Sequence, residues 1–214
     1  MGHVYIVGAS EQGQIVAEIL QLSGHTIGGF FDDAGTERYL GFPVLGRTTE
    51  LAEVVPRDGS FIVAIGNCQV RARIYERYRG QIALTSAIHP SAIIMPSATL
   101  GEGVTIHPGA RIATAARIGD GVIVNTGAIV EHHNVIGNYA HVCPGAVLGG
   151  GVTIGDTTWV GLGSVVRDHI AIGSYAFVGQ GANVTRPVAD GVLVYGNPAR
   201  VQGPSPYRLA TATS

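Results

Sequence analysis

The sequence predicts a chain in two parts, a small Rossmann-like α/β domain over residues 1–87 and an all-β solenoid over 88–201, with residues 202–214 as a flexible tail. Three observations lead there: a period of six in the second part, alternating strand and helix patterns in the first, and a composition rich in Gly and poor in charge. Only 13% of the 214 residues are charged, 32 are Gly and 46% are hydrophobic. About 25% charged is ordinary for a soluble protein, so this balance excludes disorder and a coiled coil. With 13 basic and 15 acidic residues the formal net charge is -2, too little field to hold a polyanion, and nucleic acid is not an expected partner. No apolar run reaches the roughly 18 to 20 residues of a membrane span, and no basic-then-apolar leader precedes Val4. Cys68 and Cys143 read as free thiols in a reducing cytoplasm, where localisation is therefore expected.

In the first part, Val4-Tyr5-Ile6-Val7 reads as a buried strand, Gln12 to Leu22 as a helix and Ile27 to Phe31 as a second strand. A short helix near Thr49 to Val54, a strand Phe61 to Ile65 and a helix from Gln69 to Tyr78 follow. This order predicts a parallel sheet. Its first turn, Gly8-Ala9-Ser10-Glu11-Gln12-Gly13, would present backbone N–H groups at a helix N-terminus, where phosphate binds. Gly8 and Gly13 match the outer glycines of the dinucleotide fingerprint, but Ser10 replaces the middle one. One unit of this size is also half of a dinucleotide fold, so a mononucleotide fits better than NAD. Asp32 and Asp33, ending the second strand, stand where an acid would meet a ribose; a tight turn and a solvated acidic loop account for the same residues.

From Ile88 to Val184 every sixth residue is aliphatic, seventeen positions without a gap. Four residues after most of them stands a small side chain, as at Ala92, Ala110, Ala128 and Ala146; Gly often follows directly, as at Gly101, Gly119 and Gly137. A helix repeats near 3.6 and a half-buried strand at 2, so neither explains a period of six. Short strands joined by tight corners do, with aliphatics on the axis, small residues in the corners and Gly permitting the turn.

Within this region Asn125-Thr126-Gly127-Ala128-Ile129-Val130-Glu131-His132-His133-Asn134-Val135-Ile136-Gly137, followed by His141, places three imidazoles within ten residues. A neutral imidazole, with an ordinary pKa near 6.5, accepts a proton at neutral pH. Glu131 precedes His132, but adjacent residues in extended chain face opposite sides. His89, His107 and His169 read as solvated or structural, and Cys143 as an outward wall residue.

The hexad repeat resembles that of bacterial hexapeptide acyltransferases. Together with the first part, from Ile6-Val7-Gly8 to Gly196-Asn197-Pro198-Ala199-Arg200, it resembles the sugar acyltransferases that include sialic acid O-acetyltransferases and the N-acetyltransferases of bacillosamine and perosamine pathways. The resemblance implies a left-handed parallel β-helix of three hexads per coil and a homotrimer. It implies acetyl-CoA as co-substrate, no metal cofactor, and a nucleotide-linked amino sugar as acceptor, acetylated at C4 for polysaccharide biosynthesis. Carried onto this chain, His132 is the general base, with Glu131 and Asn125 beside it; family members commonly follow the base with an acid, where this chain has His133. Gly8, Ser10, Gly13, Asp32, Asp33, Asn67 and Arg71 bind the nucleotide sugar. His141, Gly150, Gly161, Gly179, Pro198 and Arg200 bind acetyl-CoA. The alternatives are O-acetylation of a sialic-acid-like sugar, a zinc-dependent carbonic-anhydrase-like protein, and a nucleotide-sugar-binding protein without turnover. The histidine spacings here do not match the zinc class.

Overall fold

A computed structural model describes residues 2–207. The first part forms β1 (Val4–Val7), α1 (Glu11–Leu22), β2 (Ile27–Phe31), β3 (Arg38–Tyr39), β4 (Phe42–Gly46), α2 (Leu51–Val54), β5 (Ser60–Val63), α3 (Cys68–Tyr78) and β6 (Ala83–Leu84). The sheet order is β3-β4-β2-β1-β5-β6, parallel except for the β3–β4 pair. All four residues of the central β1 are buried, as a strand covered on both faces requires. The sequence gives no warning of β3, β4 and β6. β3 and β6 are two-residue edge elements, β4 between β3 and β2 carries a proline and a glycine, and their pairing comes from the sheet rather than from propensity.

The second part contains seventeen two-residue strands, from β7 (Ala87–Ile88) to β23 (Asn183–Val184), arranged as three parallel sheets that form the sides of a prism. Each strand pairs with the one 18 residues on, as in Ile106 with Val124 and Val124 with Val142. The hexad aliphatics and the alanines behind them stack into one continuous core. An antiparallel hairpin, β24 (Val192–Gly196) and β25 (Ala199–Pro204), closes the end. The expected tail therefore starts too early. Gln202 to Pro204 belong to β25, and Tyr207 is buried edge-on against Phe177, with ring centroids 5.7 Å apart. The rest of that expectation, 208–214, lies outside the described residues.

The glycine expectation also needs correcting. Every sixth residue from 103 to 181 has positive φ, and this corner position holds Gly, Ala115, His133, Tyr139, Thr157, His169 or Tyr175. It lies three residues after the aliphatic, not one. The glycines that follow the aliphatics directly serve close coil stacking instead: a Cβ on Gly119 would lie 2.8 Å from the backbone nitrogen of Asn138 in the next coil.

The α/β unit is fixed to one side of the prism, over the sheet that contains β7. Ser23 donates to the Ile88 carbonyl at 2.7 Å, and Tyr75 donates to the Gly103 carbonyl at 2.8 Å while accepting from Val63 N. Arg71 makes the main clamp. Its guanidinium is 1% exposed and donates to the carbonyls of Gly121, Ile65, Gly66, Tyr139 and Ala140. A buried cation needs this many acceptors to replace its water shell. Arg71 is thus committed to holding the two parts together and leaves no donor for a phosphate, contrary to its sequence-based assignment.

Candidate active site

The Gly8–Gly13 loop folds as a tight strand-to-helix turn. Gly8 has φ +111, and a Cβ on Gly13 would stand 2.1 Å from the Gly8 carbonyl oxygen, so only glycine fits there. Ser10 occupies the N-cap of α1 with an exposed side chain that makes no capping bond. Asp32 is occupied locally: its carboxylate accepts from Ala9 N at 2.8 Å and from Ala34 N at 2.7 Å. These two bonds shape the loop. Asp33 turns the other way and accepts from Thr48 N and the Thr48 hydroxyl. With Thr48, Ile65, Val70, Arg73, Ile74 and Arg77 it lines a cavity of about 500 Å³ at the C-terminal ends of β2, β4 and β5, where open parallel sheets bind ligands. Asn67 caps α3, its side-chain oxygen accepting from Val70 N at 3.1 Å. The basic pair Arg73 and Arg77 escaped the sequence reading, because only the helix geometry four residues apart turns both toward one cavity.

The histidines divide between two places. His141 and His107 lie beneath the α/β unit, 4% and 0% exposed. His141 Nδ1 is 3.3 Å from the Gly66 carbonyl, and its Nε2 is 3.0 Å from the Asn125 amide nitrogen. These partners define the Nδ1–H tautomer, donating to Gly66 and accepting from Asn125. Burial first, then the nearby Arg71 guanidinium, pushes the His141 pKa down to about 3. The Gln12 amide meets His107 Nε2 at 3.2 Å, and burial lowers that pKa to about 4. Asn125 therefore belongs with His141, not beside His132; His141 is buried and Asn125 half-buried.

His132 occupies the prism edge opposite the covered side. It is exposed, and its neighbours include Glu131, His133 and Gly150 of the following coil. Glu131 accepts from the backbone N–H of His132 at 3.1 Å rather than reaching the ring. Gly150 has no room for a side chain, since a Cβ would lie 2.5 Å from His132 Cε1. The Gly150 N–H has no hydrogen-bond partner among the described residues, whereas those of Gly149 and Gly151 are paired. Gly161 and Gly179 are required by stacking: their Cβ positions fall 2.5 Å from the Val178 carbonyl oxygen and 2.7 Å from Tyr195 Cβ. Pro198 and Arg200 are exposed on the closing hairpin, where Arg200 donates to its neighbour Ala199.

Cys143 and Ser164, two side chains with nucleophilic atoms in the prism, are both buried. Cys143 is 2% exposed, not a wall of an open cleft, and burial pushes its thiol well above the ordinary range. Ser164 is fully buried and donates to the Gly161 carbonyl. Among the described residues no group of three or more His, Cys, Asp or Glu is arranged to hold a metal ion.

A hexad prism with an α/β unit on one side and an exposed imidazole on the far edge defines an acyltransferase of the hexapeptide-repeat class. Residues 3–78 match the family model described as the PglD N-terminal domain. A curated relative, UDP-N-acetylbacillosamine N-acetyltransferase of Bacillus subtilis (strain 168), is 39% identical over 111 residues, 48% of this chain and 50% of the relative, so that match spans half of the relative's length. The structure of GDP-perosamine N-acetyl transferase from Caulobacter crescentus, a histidine-to-alanine mutant in complex with CoA and GDP-perosamine, is 36% identical. It aligns with a TM-score of 0.92 over 95% of this chain and 98% of that one. The acetyltransferase domain of PglB from Neisseria gonorrhoeae FA1090, in complex with acetyl coenzyme A, is 35% identical, with a TM-score of 0.89 over 94% of this chain and 98% of that one. The chain belongs to this family of sugar acyltransferases. No helix among the described residues is long and apolar enough to cross a membrane.

Proposed function

We propose that the protein transfers the acetyl group of acetyl-CoA to the amino group, at C4, of a nucleotide-linked amino sugar, with His132 as general base. The observation that carries this reading is the likeness along nearly the whole chain to a transferase whose structure holds CoA and GDP-perosamine. A thioester carbonyl supplies the electrophile. The amine nitrogen attacks it, the C–N bond forms, the C–S bond breaks, and the amine proton passes to His132 Nε2 while the thiolate of CoA leaves. The unpaired N–H of Gly150, beside the His132 ring, stands where a developing oxyanion needs a donor. Gly161, Gly179, Pro198 and Arg200 extend the acyl-donor path along the prism, Arg200 offering a guanidinium to a phosphate.

The nucleotide lies along Gly8, Ser10 and Gly13, its base in the cavity bounded by Asp33, Thr48, Arg73 and Arg77. In a single chain this cavity and His132 are on opposite sides of the prism, so the site closes only when another copy brings its α/β unit to that edge. We assign a homotrimer on this ground. Exposed Ile93, Leu162 and Val165 give the prism an apolar surface for such packing. Acetyl-CoA as donor, together with two free buried thiols, fits a cytoplasmic enzyme.

The test is CoA thiol release with acetyl-CoA and a panel of UDP-, GDP- and dTDP-linked amino sugars. Turnover of one amino sugar is expected, and silence on all of them with turnover of a sialic-acid-like alcohol would replace N- by O-acetylation.

A further inference from the structure

The geometry at the free prism edge points to an assignment for His133: we infer that it is the positioning residue that keeps His132 in its base-competent tautomer, in place of a carboxylate. This rests on His132 being the base.

The two Nδ1 atoms are 3.1 Å apart, and the rings meet edge to face, with centroids 5.3 Å apart and planes at 83°. Consecutive residues of an extended chain point to opposite sides, which is why Glu131 misses the ring. His133 avoids that fate because it takes the positive-φ corner position, φ 59, and is held there by a bond from its backbone N–H to the Thr114 carbonyl at 3.0 Å. The left-handed turn swings its side chain back beside that of His132.

Between two facing Nδ1 atoms there is room for one proton. If His132 donates, its Nε2 carries a bare lone pair and can take the amine proton, while His133 is the Nε2–H tautomer. If His133 donates, His132 carries its proton on Nε2 and is no base at that atom. Once Nε2 has been protonated, both ring nitrogens of His132 carry hydrogen, and the Nδ1–H donates to His133 Nδ1, as in the first arrangement. Proton transfer therefore selects the tautomer in which His133 accepts. A carboxylate would enforce it by charge; an imidazole accepts without adding a negative charge, so His132 keeps a lower proton affinity than an acid neighbour would give it.

The other groups around the pair do not supply that function. Glu131 binds the His132 backbone, Thr114 of the preceding coil offers its carbonyl to His133, and Gly150 and Gly151 of the next coil have no side chains. Asp168 and His169 stand one coil further, with Gly149 and Gly151 between, and a Cβ on Gly151 would meet His169 Nδ1 at 2.5 Å.

The corner tolerates substitution, since Ala115 occupies the same position one coil earlier with φ 57. The test compares His133→Ala, His133→Asn and His133→Asp with His132→Ala in the full-length protein, using acetyl-CoA and GDP-perosamine as probes. His133→Ala is expected to lower kcat about tenfold with both KM values unchanged, the loss of one hydrogen bond to a charged group. His133→Asn should restore part of the rate. His133→Asp should restore it fully and move the acidic limb of kcat/KM up by about one pH unit, because a carboxylate favours the imidazolium. Long-range proton–nitrogen spectra of the wild type, which need no acceptor, should show His132 protonated on Nδ1 and His133 on Nε2. A wild-type kcat in His133→Ala, an Asp variant no faster than the Ala variant, or His132 protonated on Nε2 overturns the assignment. Full activity in His132→Ala would instead overturn the base reading beneath it.

Discussion

Two pairs of histidine-bearing contacts lie on opposite sides of the same prism, and they differ in almost every respect. His107 and His141 are sealed beneath the α/β unit, held neutral by burial and bonded to Gln12, Asn125 and the Gly66 carbonyl. His132 and His133 are exposed on the far edge and bonded chiefly to each other. The first pair belongs to the architecture, because a group whose pKa lies near 3 or 4 is a poor proton acceptor at neutral pH. The second is open to an incoming substrate. Residue type is the same in both places, and environment alone separates structure from chemistry.

The contrast breaks most sharply at His132 itself. His132→Ala should lower kcat about 10²- to 10⁴-fold while leaving the melting temperature within a degree or two, measured by thiol release and calorimetry; a loss of that size in His141→Asn would instead move the chemistry to the buried side. Next comes Arg71, the clamp between the two regions. Arg71→Ala removes a donor from five carbonyls at the junction, leaving those of Gly121 and Tyr139 without one among the described residues, and should destabilise the protein by about 3 kcal/mol in chemical denaturation. An unchanged midpoint would mean that the junction is not sealed.

Gly150→Ala sharpens the comparison from the catalytic side. The added Cβ falls on the His132 ring, so the imidazole must shift, and kcat should drop about tenfold with little change in stability. The smallest effect is the pH dependence of the buried side. His107 and His141 have folded pKa values below the ordinary 6.5, so the unfolded chain binds more protons as pH falls. Their contribution is complete above pH 6.5 and is lost progressively between 6.5 and about 3, through about 4 for His107 and about 3 for His141. The melting temperature should decline over that window and do so less steeply in His107→Met, which thermal scans across pH will read.

The prism was legible because its physical cause repeats. Stacking coils 18 residues apart forces an aliphatic residue onto the axis every sixth position, and seventeen repetitions leave no competing period. The α/β unit was legible in its long elements, such as β1 and α1, and silent in β3, β4 and β6, which exist only because a neighbouring strand supplies their hydrogen bonds. At the site, motif spacing marked Gly8, Gly13 and His132 as residues to examine. It misjudged Arg71, whose donors are all taken up by carbonyls of both parts, and it gave no sign that Asn125 and His141 bond to each other.

Composition and periodicity by themselves thus determined that the chain is a hexad solenoid behind a small α/β unit, since those features follow from local repeats of side-chain size. Tertiary structure alone decided which polar groups remain available. A guanidinium or imidazole reads the same in the sequence whether it faces solvent or five carbonyls, and only the packing of one part on the other determines how much of its water is replaced.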